Sequence, residues 1–195
     1  AICRRDHDGL PILPGRQLRG VLRHAVHRAE AWGWFADLPL PGGPMTDRET
    51  LLFGTRSGEA ARGATQPGMA VIGTASLPDS EARWLAAPTQ IALRDALFED
   101  RFSTAIDSNG TAADHSLRGI EVCIPVTLHA SVALELTGVD AALRAQQQAA
   151  RDAGIGWTVL ERVLPLLDAL GAHRSRGLGE AVVELEAMMK EPGDA

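Results

Sequence analysis

The 195-residue sequence contains only two cysteines, Cys3 and Cys123, a single lysine and no tyrosine. Two cysteines far apart, without a CxxC motif, exclude a disulfide scaffold and a zinc ribbon and predict a reducing, cytoplasmic environment. There is also no run of about 18 apolar residues, so we expect no transmembrane helix and no membrane partner. The charged residues 4–8 are unlike the apolar segment of a signal peptide.

Aromatic residues make up only 4% of the chain, but hydrophobic residues make up 45% and charged residues 23%. This composition excludes disorder and predicts a globular protein, and the length suits one domain over residues 1–195. The net charge of −6 argues at first against a nucleic-acid-binding protein. Residues 1–28 nevertheless hold six arginines against two aspartates, a local charge of +4. Arginine supplies 18 of the 19 basic side chains. Its guanidinium can donate two parallel hydrogen bonds to one phosphate.

Hydrophobic periodicity predicts the order helix, insertion, strand, strand, helix, strand. The predicted segments are an amphipathic helix after Pro14-Gly15, a loop-rich insertion with one short helix (37–68), a strand (69–77), strand material (120–124 and 126–136), helices (139–153 and 157–170) and a closing strand (180–187). The chain begins without methionine, and we expect a first strand upstream of Ala1. The sum is an α+β, ferredoxin-like (RRM-type, β-α-β-β-α-β) sheet with helices on one face.

Two basic features suggest a binding site. The loop 171–179 combines Arg174 and Arg176 with glycines that let backbone N–H groups approach phosphate oxygens. The first helix carries Arg16, Arg19 and Arg23 opposite its apolar stripe. Each feature has a simpler explanation, a flexible connection for the loop and a solvated face for the helix. Taken together, they favour a polyanionic ligand.

Carboxylates near the N-terminus offer a second chemistry. Asp6 and Asp8 lie beside Arg4 and Arg5, and a metal-bound aspartate can position a hydroxyl or a phosphate. The simpler explanation is a turn before Gly9. The histidines show no metal-ligand spacing, so we predict no resident metal site and no bound cofactor.

Five segments, taken in order, resemble the RAMP superfamily of CRISPR-associated proteins. They are Pro11-Ile12-Leu13-Pro14-Gly15 with the following Arg16-Gln17-Leu18-Arg19-Gly20, Leu52-Phe53-Gly54, Gly73-Thr74-Ala75-Ser76-Leu77, the hairpin Thr104-Ala105-Ile106-Asp107 to Gly110-Thr111-Ala112, and Arg174-Ser175-Arg176-Gly177-Leu178-Gly179. The resemblance is strongest to backbone subunits of type III effector complexes. It departs from the family pattern at Arg16-Gln17-Leu18-Arg19, where Ser-Ser-Leu-Lys is usual.

The resemblance implies a guide-RNA-binding subunit that contacts phosphates without sequence specificity, positions target RNA, stacks with copies or other effector subunits, and acts in antiviral defence. It assigns RNA binding to the first helix and the glycine-rich loop, that is, to Arg16, Arg19, Arg23, Arg174, Ser175, Arg176, Gly177 and Gly179. It also implies a thumb-like hairpin at residues 102–120, including Ile106, Asp107, Thr111 and Arg118, that enters between guide and target.

Two alternatives stay open at this point. One is a metal-dependent endoribonuclease that cleaves target RNA in the same complex, for which Asp6 or an aspartate upstream of Ala1 would be catalytic and Mg²⁺ would be required. The other is an unrelated ferredoxin-like domain that binds a small molecule.

Overall fold

The computed structural model describes residues 2–56 and 65–187 and contains both helices and antiparallel strands. In chain order the elements are α1 (Gly15–Ala31), α2 (Arg48–Phe53), β1 (Ala70–Ile72), α3 (Asp79–Ala86), α4 (Ile91–Asp95), β2 (Phe98–Ser103), β3 (Arg118–Cys123), β4 (Val132–Leu134), α5 (Ala141–Asp152) and α6 (Ile155–Val163). Short 3-10 turns occupy Pro88–Gln90, Leu164–Leu166 and Arg174–Arg176. The predicted α+β class is confirmed. Among the described residues, none of the helices has the length and apolar content that crossing a bilayer requires.

The chain divides into two compact units. One comprises Ala1–Gly15 and Gly73–Ser131, and the other comprises Arg16–Ile72 and Val132–Ala195. The boundaries of a single domain at 1–195 stay a prediction. The insertion predicted at 37–68 contains the short helix α2, as expected, and its residues 57–64 lie outside the described residues.

In the second unit, β1 and β4 pair antiparallel, with Ala70 opposite Leu134 and Ile72 opposite Val132. Helix α1 comes before β1 in the chain, and α5 and α6 follow β4. This is the order of the first helix, second strand, third strand and second helix in the β-α-β-β-α-β plan. Local capping defines the helix starts, because Asp47 accepts a hydrogen bond from the Thr50 N–H and Asp140 accepts one from the Leu143 N–H.

The core of this unit lies between its helices and β1. The predicted amphipathic stripe of α1 is confirmed by buried Leu18, Leu22, Ala25 and Ala29. Further buried residues come from α2, β1, α5 and α6: Leu51, Leu52, Phe53, Ala70, Leu143, Ala150, Ile155, Val159, Leu160 and Val163. Buried Gln146 binds the backbone of the insertion 37–68. Its side-chain amide accepts a hydrogen bond from the Met45 N–H at 2.9 Å and donates one to the Pro41 carbonyl at 2.8 Å. A buried amide of this kind satisfies loop backbone groups that water cannot reach.

The first unit has a smaller core of Leu10, Leu77 and Leu85. Strands β2 and β3 form an antiparallel hairpin in which Phe98 faces Cys123 and Ser103 faces Arg118. Cys3 and Cys123 are free thiols, and burial, with the nearby Cys3, raises the pKa of Cys123 to about 11. Neither thiol forms a disulfide, as the sequence predicted.

Four sequence-based boundaries need correction. The strand material predicted over 126–136 is β4 (Val132–Leu134) with an isolated bridge at His129. The strand predicted over 69–77 is β1 followed by isolated bridges, because Ala75 pairs with Leu13 and Ser76 with His129. The closing strand predicted over 180–187 is a single bridge between Ala169 and Glu180. The helix predicted over 157–170 ends at Val163 and continues as a 3-10 turn at Pro165, which has no N–H to donate.

Candidate nucleic-acid interface

Arg16 lies at the amino-terminal end of α1, and its side chain is exposed to solvent. The first turn contains no acidic residue, and the exposed Arg16 side chain has no hydrogen bond or ion pair with any residue that the structure describes. The unpaired N–H groups of a helix start carry a partial positive charge. This end of α1 therefore combines two sources of positive potential.

Arg19 and Arg23 lie on the same helix but turn toward the protein. The Arg19 guanidinium donates to the carbonyls of Ala70 and Phe53, the latter at 2.9 Å. Arg23 donates to the Gly54 carbonyl at 2.9 Å and to Glu49 at 2.7 Å. Burial, together with the neighbouring Arg23, lowers the pKa of Arg19. Their predicted RNA contacts stay a prediction, but both guanidiniums already bind groups of their own chain.

Glu49, only 7% exposed, is the centre of this ionic cluster. Its Oε1 accepts from Arg23 and Arg56, and its Oε2 lies 2.7 Å from His27 Nδ1. Burial by itself raises the pKa of Glu49, but the hydrogen bonds from Arg23, Arg56 and His27 outweigh it and hold the pKa below its ordinary value. No local sequence pattern predicts this cluster, because its members lie on three separate segments.

The orientation of Arg19 leads to a prediction. Arg19→Met should lower the free energy of unfolding by about 2 kcal/mol, since it leaves the carbonyls of Ala70 and Phe53 without their donor. RNA affinity should change less than about twofold. Denaturant unfolding and RNA titration of the same preparation measure both quantities. Arg16→Met is the matched control, with the opposite pattern expected; a large loss of RNA affinity in a stable Arg19→Met variant would contradict the structural role.

The glycine-rich loop is the tip of a short antiparallel turn. The Leu170 N–H donates to the Gly179 carbonyl at 2.7 Å, and the Ala181 N–H donates to the Asp168 carbonyl. Gly177 and Gly179 both have φ of +74°, and a Cβ on Gly179 would lie 1.9 Å from the Leu170 oxygen. Only glycine fits Gly179, because any side chain would collide with that backbone.

The loop presents two arginines to solvent. Arg174 and Arg176 are exposed in the 3-10 turn, and neither has an ion-pair partner among the described residues. The backbone of Ser175 lies between them, and its side chain lies outside the described part of the structure. The structure therefore places these predicted residues together, and it places Arg16 in the same compact unit.

The predicted thumb is a hairpin with an exposed, ordered tip. Asp107 Oδ1 accepts from the N–H groups of Asn109 and Thr111, and Oδ2 accepts from the Thr111 hydroxyl. These hydrogen bonds hold the pKa of Asp107 below its usual range, and those from Thr111 have the largest effect. Ile106 is 63% exposed beside this turn, and Arg118 is exposed at the start of β3. Ile106 therefore presents an apolar side chain to solvent beside a polar tip.

Asp6 shapes the turn before Gly9. Its Oδ1 accepts from the N–H groups of Asp8 and Leu10, each at 2.9 Å, and His7 Nε2 lies 3.1 Å from Asp8 Oδ2. The ligand atoms of Asp6, His7 and Asp8 lie within 4.8 Å of one another. Carboxylate oxygens suit Mg²⁺, whereas imidazole does not, and one Asp6 oxygen is already used by the backbone. The donor set thus fits Mg²⁺ only in part.

The same segment is anchored by contacts that the sequence did not reveal. Arg5 donates to Glu121 at 2.8 Å and lies over the Phe98 ring, 3.6 Å from its centroid. The Cys3 N–H donates to the other Glu121 oxygen. These contacts hold the residues before Asp6 against β2 and β3.

Comparison with known proteins identifies the family of this chain. No curated protein sequence matches the chain. A family model of the RAMP superfamily matches residues 1–182, which include α1, the β2–β3 hairpin and the glycine-rich loop. A match of this length shows that the resemblance to the RAMP superfamily is not accidental. The alternative of an unrelated domain that binds a small molecule therefore loses its support. The chain belongs to the RAMP superfamily, a family of CRISPR-associated, RNA-binding proteins.

Proposed function

We propose that this protein is a guide-RNA-binding backbone subunit of a type III CRISPR ribonucleoprotein that acts in antiviral defence. The observation that carries the proposal is the exposure of Arg16, Arg174 and Arg176 without acidic partners among the described residues. An unpaired exposed arginine gains most from a phosphate, because no internal ion pair has to be broken first. The family membership supports RNA as the source of those phosphates.

The chemistry of these residues supports binding without sequence specificity. Guanidinium groups, the start of α1 and the loop backbone all recognise phosphate oxygens, which are the same in every RNA. A subunit that serves many guides requires this property. The other proposed partners are target RNA, approached by the hairpin that carries Ile106, and further effector subunits, including copies of this chain.

RNA titration tests the proposal. Single-stranded RNAs of equal length and unrelated sequence should bind with similar affinity, and the logarithm of the binding constant should fall linearly with the logarithm of salt concentration. For single strands the slope is about −0.7 per neutralised phosphate. Strong preference for one sequence, or binding without salt dependence, would refute a phosphate-reading subunit.

The grouping of Asp6, His7 and Asp8 favours a second candidate, a metal-dependent endoribonuclease. If it is correct, Asp6→Asn should abolish Mg²⁺-dependent cleavage of complementary RNA, because the amide is a weaker metal ligand and no base. Asparagine keeps the oxygen that accepts from Asp8 and Leu10, so stability and RNA binding should be retained. Cleavage by the assembled complex measures the effect. Undiminished cleavage would contradict a catalytic role for Asp6 and leave it only its structural role in the turn before Gly9.

A further inference from the structure

Two tryptophans lie exposed just after the end of α1. Trp32 is 54% exposed and Trp34 is 40% exposed, whereas Phe35, which follows them, is buried. The two indole rings are 5.8 Å apart, at an angle of 50°. The chain has four tryptophans and no tyrosine, so two of its largest apolar side chains are placed side by side where the fold does not bury them. Because the two rings are adjacent, they form one contiguous aromatic surface, which favours an interaction site.

Two arginine side chains, Arg162 and Arg48, hold the turn that carries the tryptophans. Arg162 donates to the Trp34 carbonyl at 3.2 Å and to both oxygens of Asp37, at 2.6 and 2.7 Å. Arg48 donates to the carbonyls of Phe35 and Leu38 and to Glu30. Arginine side chains thus bind three backbone carbonyls of this turn, those of Trp34, Phe35 and Leu38, and hold the backbone that carries the indoles. A rigid aromatic surface loses little conformational entropy on binding.

The charges around the pair favour an anionic ligand. The acidic neighbours, Asp37 and Glu30, are neutralised by Arg162 and Arg48. The Arg28 guanidinium instead lies over the Trp32 ring, 4.8 Å from the centroid, and has no hydrogen bond or ion pair with the described residues. Its stacked guanidinium therefore adds a positive charge next to an exposed π surface.

We propose that Trp32 and Trp34 stack unpaired bases of single-stranded RNA and that Arg28 binds the adjoining phosphate. The inference rests on the proposed RNA-binding function and adds base contacts to the proposed phosphate contacts. Stacking on aromatic rings tolerates every base, since each base has a π face, so this contact preserves binding without sequence specificity. A protein partner is the competing occupant, because Trp and Arg also dominate protein interfaces.

The test compares two polyanions, an eight-residue oligoadenylate and inorganic polyphosphate, which has no bases. In a Trp84→Phe, Trp157→Phe background, emission reports only the pair. Oligoadenylate should quench this emission, whereas polyphosphate should not. Trp32→Leu should weaken oligoadenylate binding about tenfold and leave polyphosphate binding unchanged, while Trp32→Phe, which keeps a π face, should retain most of the affinity.

The outcomes separate the inference from the proposed function. If the parent protein binds neither probe, both fail. If the parent binds oligoadenylate but Trp32→Leu binds it equally well, stacking is wrong and phosphate binding survives. If a Trp32→Ala, Trp34→Ala variant keeps RNA affinity but loses concentration-dependent sedimentation, the pair is a protein interface and base stacking is overturned.

Discussion

Replacing Arg16, Arg174 and Arg176 together by glutamate is expected to lower the affinity for single-stranded RNA at least about a hundredfold. Each substitution removes a cation that has no acidic partner among the described residues and adds an anion at the same place. The slope of log binding constant against log salt should become shallower by about 2, since three phosphates at about 0.7 each are no longer neutralised. Titrations at several salt concentrations measure both effects.

A control with the same change in net charge makes this result specific. Arg83, Arg144 and Arg151 are also exposed, and their triple replacement by glutamate alters the total charge equally. This control should lose little affinity and keep its salt slope, because those side chains lie outside α1 and the glycine-rich loop. Equal losses in both triple variants would mean that only net charge matters, and the proposed interface would be wrong.

Glu49→Gln should lower the free energy of unfolding by about 3 kcal/mol at pH 7. The substitution keeps the size of a side chain that is almost completely buried, but it removes the charge that holds Arg23, Arg56 and His27. Loss of the buried carboxylate is costly chiefly because Arg23, the least exposed of its partners, stays partly desolvated without its counter-charge. Chemical denaturation measures the difference. Glu81→Gln, on the exposed surface of α3, should change stability by less than about 0.5 kcal/mol.

The effect should depend on pH in a defined direction. The pKa of Glu49 is lower in the folded protein than its ordinary value of 4.5. Its contribution is therefore complete above pH 4.5 and is lost as the pH falls through the folded pKa. The wild type and Glu49→Gln should converge in stability over that acidic range. A difference that stays constant from pH 7 down to pH 3 would contradict the role of the charge.

Local elements could be predicted well from the residues. The amphipathic pattern after Pro14-Gly15 predicted α1, because this signal acts over neighbouring residues, and buried Leu18, Leu22, Ala25 and Ala29 confirm it. The closing strand over 180–187 was wrong for the opposite reason. Its alternating pattern is compatible with a strand, but a strand also needs a pairing partner outside the segment itself. Within 180–187 only Glu180 is paired, in a bridge with Ala169.

The candidate site divides in the same way. The sequence by itself determined that arginines concentrate on α1 and in the loop 174–176, and that Gly177 and Gly179 permit a reversal there. Only the tertiary structure decided which arginines remain exposed: Arg16, Arg174 and Arg176 do, while Arg19 and Arg23 bind carbonyls and Glu49. The same holds for the exposed Trp32 and Trp34. Residue type fixes what a side chain can bind, whereas its distant neighbours fix whether its donors or its ring are already occupied, and those neighbours are brought close only when the chain folds.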